Sequence, residues 1–202
     1  MRCLKSVGWI LLISLFAFET FAQNGCKLRK DEDGIKVYLC HVDSSRFKSI
    51  VTEFDINCGL MELMAIATDV RGYAKWQFST LEGKVLKNIS PSEKIYHTRI
   101  EAPWPVSDRD MVVHMRIALN ENEATITADS ESGILPEETG WVRVPFSHAQ
   151  WNVKVKNERQ LHVKYVMLID PGGAVPAWLV NWTCANAPLQ SFQKLKSLLE
   201  KK

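Results

Sequence analysis

The chain has 202 residues, 46% of them hydrophobic and 24% charged, and a formal net charge of +2. That length suits one domain plus a short extra segment. A near-neutral balance with no long basic run argues against nucleic acid as a partner, and no internal repeat, low-complexity stretch or linker divides the chain.

Residues 1–22 read as a secretory signal peptide and not as part of the fold. Arg2 and Lys5 give a positive start, 7–18 is an apolar core, and Thr20-Phe21-Ala22 ends on a small residue before Gln23. The rival reading is a membrane anchor, but the apolar run is short for a span and Glu19 interrupts its end. A lipoprotein signal at Cys26 lacks the apolar residue expected three positions earlier. The expectation is therefore a signal peptide at 1–22 and one domain at 23–202. It would be exported, to the periplasm of a Gram-negative cell and otherwise secreted.

The exported chain keeps Cys26, Cys40, Cys58 and Cys184. Segments 27–30 and 35–39 look like two strands around the turn Asp31-Glu32-Asp33-Gly34. Folding that hairpin places Cys26 nearly opposite Cys40, which predicts a cross-strand disulfide in an oxidising compartment. Cys58 and Cys184 read as buried free thiols, and the spacings do not form a zinc pattern.

Strands are expected at 36–42 and 47–56 from their β-branched and aromatic content. A short helix follows at 60–67, with Asn57 as its cap and Gly72 as its stop, then a turn or short helix at 73–76. Further strands are expected at 81–88, 94–101, 109–119, 124–130, 141–156 (long enough to bend) and 160–169, with Asn-rich turns between them. About nine strands in sequential hairpins, one internal helix pair and one terminal helix give an α+β fold with an antiparallel sheet.

Alternation assigns the faces. Met111, Val113, Met115 and Ile117 point one way, and His114 and Arg116 the other. Leu161, Val163, Tyr165 and Met167 oppose His162 and Lys164, while Tyr96 and Ile100 oppose His97, Arg99 and Glu101. Trp151 falls in register with Ser147 and Ala149 and should face inward. Each strand has a dry face that needs a cover.

The last thirty residues supply one. Gly172 and Gly173 break the preceding strand, and Pro176 sits in the first turn, where a missing N–H costs nothing. Val175, Trp178, Leu179, Trp182, Leu189, Phe192, Leu195 and Leu199 recur at three- and four-residue steps as one apolar stripe, with a kink expected at Pro188. A helix across a curved sheet with an apolar ligand between them is the expected arrangement. Tryptophan on such a helix serves a packed core or a cavity wall equally well, so both readings of Trp178 and Trp182 stay open.

Catalysis has little support. His41, His97, His114, His148 and His162 sit beside no nucleophile motif and have no metal spacing. No catalytic residue, metal or cofactor is expected. Only Tyr73, Tyr96 and Tyr165 are candidates for acid–base work inside a cavity.

Ala102-Pro103-Trp104-Pro105-Val106-Ser107-Asp108-Arg109-Asp110 resembles the proline-rich loop and RD motif of the START domains, lipid-transfer domains related to the steroidogenic acute regulatory protein. Leu135-Pro136 followed by Gly140-Trp141-Val142-Arg143 resembles them too. Asp170-Pro171-Gly172-Gly173 through Pro176-x-Trp178-Leu179-Val180-Asn181-Trp182 is similar to the last helix of the phosphatidylcholine-transfer type within that family. The resemblance covers roughly Cys26 to Lys202. It implies a helix-grip fold, in which a curved antiparallel sheet of about nine strands wraps around the C-terminal helix and encloses a tunnel for one lipid. It also implies that the loop at Pro103–Asp108, with Pro103, Trp104 and Pro105 as gate residues, and the helix act as a gate. The superfamily includes polyketide cyclases, so an enzyme on an apolar substrate is the alternative.

The sequence departs from the phosphatidylcholine-binding pattern. Aligned with the arginine and aromatic cage that hold the choline headgroup are Tyr73, Thr98, Met111 and Ser147. A quaternary ammonium needs π faces and a buried phosphate needs charged donors, so a choline phospholipid is disfavoured. A sterol, hopanoid, fatty acid or isoprenoid fits better. The expected ligand contacts are Tyr73, Trp76, Tyr96, Thr98, Met111, Val113, Met115, Ser147, Trp151, Tyr165, Met167, Trp178, Leu179 and Trp182. Arg109 and Asp110 are read as tying the loop to the sheet. The expected partner is a lipid or other hydrophobic molecule, with transient membrane contact and the protein a monomer.

Overall fold

The computed structural model describes residues 25–43 and 47–200, and at three helical positions (Ala177, Trp178 and Asn181) it describes the backbone alone. The expected signal peptide lies outside the described residues. The strands, in chain order, are β1 (Cys26–Glu32), β2 (Ile35–Cys40), β3 (Ser49–Ile56), β4 (Thr80–Ser90), β5 (Glu93–Ile100), β6 (Asp108–Leu119), β7 (Glu123–Ser130), β8 (Trp141–Arg143), β9 (Phe146–Asn157) and β10 (Gln160–Asp170). The described residues hold two α-helices, α1 (Leu60–Ala67) and α2 (Ala177–Leu199), and a 3₁₀ turn runs Val70–Lys75. Nine strands form one antiparallel path in the order β1-β2-β3-β10-β9-β7-β6-β5-β4, and β8 pairs in parallel with β6 beside it. This is the expected α+β helix-grip arrangement: one curved antiparallel sheet of about nine strands, gripping the C-terminal helix.

The β1–β2 hairpin closes through Asp33 and Gly34, at φ 54° and 73°, the two positive angles a type I′ turn requires. The register sets Cys26 opposite Cys40, and the two are joined by a disulfide. Cys58 and Cys184 are free thiols; burial pushes Cys58 up to about 11.

Three local expectations are corrected. The single strand expected over 141–156 is two, because Pro145 has no N–H to continue a ladder; the chain shifts there, and β8 pairs with β6 while β9 pairs with β7 and β10. Helix α1 is capped at Gly59, whose N–H donates to Glu62 three residues on, at 3.1 Å. Asn57 instead donates its backbone N–H to Glu200 at 3.0 Å, tying the end of β3 to the end of α2. Finally, α1 stops at Thr68, whose hydroxyl folds back onto the Met64 carbonyl at 2.9 Å, and Gly72 lies inside the 3₁₀ turn.

The faces follow the alternation. His97, His114, His148 and His162 point outward, each against a carboxylate: Asp110 at 2.9 Å, Glu93 at 2.7 Å, Asp129 at 2.6 Å and Asp55 at 2.8 Å. The concave face is mostly apolar. The second half of α2 closes on it, with Leu189, Phe192, Leu195 and Leu199 all buried and the Phe192 ring 4.7 Å from Phe54 of β3. Lys196 pins this half by donating to the Asp33 and Asp55 carbonyls at 3.3 and 3.1 Å.

The 3₁₀ turn is pressed onto β4 at Gly83, where a Cβ would stand 2.2 Å from the Val70 carbonyl oxygen and 2.9 Å from Val70 Cγ1. Backbone cannot yield as a flexible side chain can. Gly83→Ala should lift the turn off the sheet and lower stability by about 1–3 kcal/mol. Equilibrium denaturation checks this, and a wild-type midpoint would contradict the close approach.

Candidate functional site

The first half of α2 does not reach the sheet. Between them lies a cavity of about 460 Å³, within the roughly 300–1,000 Å³ that holds a single small ligand. Its walls come from the inward positions of β5, β6, β7, β9 and β10, the 3₁₀ turn, the 101–107 loop and one side of α2.

Of the residues expected to touch ligand, Tyr73, Trp76, Tyr96, Met111, Val113, Met115, Ser147, Trp151, Tyr165, Met167 and Leu179 stand on this wall. Thr98 does not. It pairs with Met111 and so shares the concave face, but its hydroxyl donates to the Glu82 carbonyl at 2.9 Å, beside the stretch of β4 that the 3₁₀ turn covers. Trp182 does not either. The wall positions of α2 are Leu179, Val180, Thr183, Cys184, Ala187, Pro188, Ser191 and Phe192, and at 3.6 residues per turn Trp182 falls off that side. It is 45% exposed and packs edge-on to Phe78, 5.9 Å away. The Trp178 side chain lies outside the description. Pro103 stands on the wall, whereas Trp104 and Pro105 are exposed at the rim, Trp104 at 89%.

Sequence reasoning missed several wall residues. Ala128 and Ala149 face each other across β7 and β9. Two small side chains at opposed inward positions leave the room that Ile126 and Trp151 take up at the next inward pair. Their alternation with larger inward residues was the available signal. Arg109, Ile100, Val106, Val144 and Val175 complete the wall near the loop.

At the other end the rings form a continuous series. Tyr96 meets Tyr73 at 5.7 Å, Tyr73 meets Trp76 at 5.7 Å, Trp76 meets Trp151 at 6.0 Å, and Trp151 meets Phe192 and Tyr165 at 5.3 and 5.4 Å, all near edge-to-face. That geometry suits the ring quadrupoles and makes a rigid apolar end. The polar handles are few. The Tyr73 hydroxyl donates to the Ala67 carbonyl at 3.0 Å and the Tyr165 hydroxyl to Met167 Sδ at 3.1 Å, while the buried Trp76 indole N–H has no acceptor. Burial raises all three tyrosines, and the neighbouring Tyr96 adds to this at Tyr73 and Tyr165. They stay neutral hydroxyls at physiological pH. Burial also raises Cys184, against the opposing charge of Lys48.

The loop end is held from both faces of β6. Ala102 donates its N–H to Asp108 at 2.9 Å, closing the loop. Asp110, on the outer face, takes two bonds from Arg143, at 3.0 and 2.8 Å, and lies 2.9 Å from His97. Arg143 also donates to the Leu135 and Pro136 carbonyls, both at 3.2 Å. Burial, the largest single influence on Asp110, pushes its carboxyl up, but Arg143 and His97 together outweigh it and hold it below the usual value.

A carboxyl depressed on folding stabilises the protein above its unfolded pKa, about 3.9, and that stabilisation is lost as pH falls through the lower folded value. Asp110→Asn should cost about 3 kcal/mol or more at pH 7, because Arg143 is left without its counter-charge. It should also flatten the loss of stability below about pH 4. Denaturation midpoints of both proteins between pH 2 and 7 check the sign; an acid limb equally steep in both would remove Asp110 from it.

Comparison with known proteins gives a consistent picture. The START domain family model matches residues 1–201. An uncharacterized protein of Pseudomonas aeruginosa is 35% identical over 177 residues, 87% of each chain. The phosphatidylcholine transfer protein of Bos taurus is 29% identical over 99 residues, 46% of each. Among solved structures, the STAR-related lipid transfer protein of Xanthomonas axonopodis is similar at a TM-score of 0.79 and 29% identity, covering 88% of this chain and 99% of that one. An aromatase/cyclase from a Streptomyces species shares the fold at a TM-score of 0.55 and 9% identity, over 76% of this chain and 93% of its own.

Proposed function

The chain belongs to the START domain family, and on that premise we propose that it binds one hydrophobic molecule in the cavity beneath α2 and carries or senses it without catalysis. The observation that carries this reading is the cavity itself: apolar strand faces, an aromatic end and an unfilled volume of about 460 Å³. Moving apolar ligand surface out of water gains roughly 25 cal/mol per Å². A ligand burying roughly 300 Å² would thus gain about 7 kcal/mol before ordering costs. Proton transfer near neutral pH would need a different wall, since Tyr73, Tyr96 and Tyr165 are all pushed upward by burial. A choline phospholipid is disfavoured, because neither a cation nor an aromatic cage occupies Tyr73, Thr98, Met111 and Ser147. Sterols, hopanoids, fatty acids and isoprenoids are the candidate classes.

Exchange requires an opening, and the 101–107 loop together with the first half of α2 is the proposed gate. Trp104, exposed beside Pro103 on the cavity rim, would make transient contact with a membrane interface, where tryptophan is favoured. The reading includes export as a monomer. The pattern at 1–22 motivates export, and the Cys26–Cys40 bridge supports an oxidising compartment. Fusing the N-terminal segment through Asn24 to alkaline phosphatase should give exported, active enzyme; retention in the cytoplasm would overturn this.

Organic extraction of protein purified from its native host, followed by mass spectrometry, should recover one dominant hydrophobic species. Ala128→Phe combined with Ala149→Phe, which puts bulk into the cavity, should cut its occupancy at least tenfold while the cooperative unfolding transition persists. Undiminished occupancy, or a dominant choline phospholipid, would count against the reading.

A further inference from the structure

The inward side of β6 carries one residue out of character with the rest. Met111, Val113 and Met115 are apolar wall residues, and Arg109, two positions earlier on the same face, is a cation only 7% exposed. Its neighbours on the sheet are Ile100 of β5 and Val142 of β8.

The partners of this guanidinium are unusual. Nε donates to the Pro171 carbonyl at 3.5 Å, Nη2 to the Gly172 carbonyl at 3.4 Å, and Nη1 to the Ser107 carbonyl. All three are neutral, and the first two are long. Among the described residues no carboxylate oxygen comes within ion-pair distance of it. Arg143, by contrast, sits on Asp110, Arg99 on Glu82 and Glu138, and Arg116 on Asp129. Asp108 acts on Arg109 through its charge, but its Oδ1 accepts from Ala102. Glu101 and Lys48, the other charged residues on the wall, are exposed. Arginine keeps its proton in proteins, and an uncompensated buried charge is costly. Five N–H donors face three neutral acceptors, so capacity remains for a bidentate anion.

Resting on the carrier reading, we propose that Arg109 anchors the head of an anionic single-chain amphiphile. The carboxylate of a fatty acid, or the phosphate of a lysolipid, pairs with the guanidinium just inside the 101–107 loop. The acyl chain runs over Met111, Val113 and Met115 toward the aromatic end. The dimensions agree. The six steps of strand from Arg109 to Met115 span roughly 20 Å at about 3.3 Å per residue. A bilayer core of roughly 30 Å holds two chains end to end, so one chain needs about 15 Å, leaving room for a head. The ligand then supplies a directly paired counter-ion, which no described residue does, and the loop closes over a neutral pair.

Titrating delipidated, full-length protein with oleic acid, methyl oleate and oleoyl lysophosphatidic acid, followed by tryptophan fluorescence, tests this. At least one acid should bind tenfold or more tighter than methyl oleate, and the one that does identifies the head. In Arg109→Gln that preference should fall below twofold. In the unmodified protein, equal affinity for acids and ester, or no binding of any of the three, would overturn the anchor; either result leaves the carrier reading to the extraction experiment. The wild-type comparison needs no variant, so it stands even if Arg109→Gln fails to fold. As a second measure, the carboxyl resonance of bound ¹³C-labelled oleic acid should keep its ionised position to lower pH than in micelles. A carboxyl titrating in the bound state as it does in micelles would also overturn the pairing.

Discussion

A dry concave sheet that only half a helix can fill is the constraint on which this structure depends. Strands with one apolar face must be covered, and α2 is the longest element available to do it. Its second half meets the sheet through Phe192, Leu195 and Leu199 and is pinned by Lys196. Its first half spans the wide end of the curve, where the inward positions include Ala128 and Ala149. The protein is thus a packed core at one end and a container at the other, built from one helix and one sheet.

An unfilled apolar volume is destabilising, because its lining atoms lack partners on one side. A sequence selected for stability alone would place larger residues at Ala128 and Ala149, or let the helix settle. What prevents settling is rigidity around the void. The edge-to-face series from Tyr96 to Phe192 fixes the far wall, Gly83 lets the 3₁₀ turn lie tight against β4, and Asp110 with Arg143 fixes the loop end from outside. These features keep the cavity open when nothing fills it, and they favour any occupant that restores the missing contacts.

Much of this was legible in the sequence, for a definite reason. Period-two alternation at Met111–Ile117 and Leu161–Met167 is a local signal that survives folding unchanged, so strand faces and most wall residues could be read directly. The Cys26–Cys40 pairing was readable because a hairpin turn sets register. What failed depended on three-dimensional fit. Trp182 belongs to an apolar stripe, yet a stripe more than 100° wide serves both a cavity and a packing neighbour, and periodicity does not say which. Thr98 faces the correct side, but its exclusion from the wall follows from the 3₁₀ turn crossing β4, a long-range contact whose only sequence trace is Gly83. The break at Pro145 was visible as a proline, while the parallel pairing of β8 that it permits was not.

The adjacent residues Arg109 and Asp110 show how one strand end can serve two purposes. Alternation sends them to opposite faces. Asp110, outside, receives Arg143 and His97 and is fully compensated, so it fixes the strand end in place. Arg109, inside, donates among the described residues only to carbonyls, from the loop on one side and from the turn that leads into α2 on the other. Those two segments are the gate proposed above. A cation that holds both of them through neutral acceptors binds them more weakly than carboxylates would, and an incoming anion competes for the same donors. On the proposed reading, loading and closure would be linked through one guanidinium: the buried charge on the wall would also give the head of an acidic ligand its place beneath the loop.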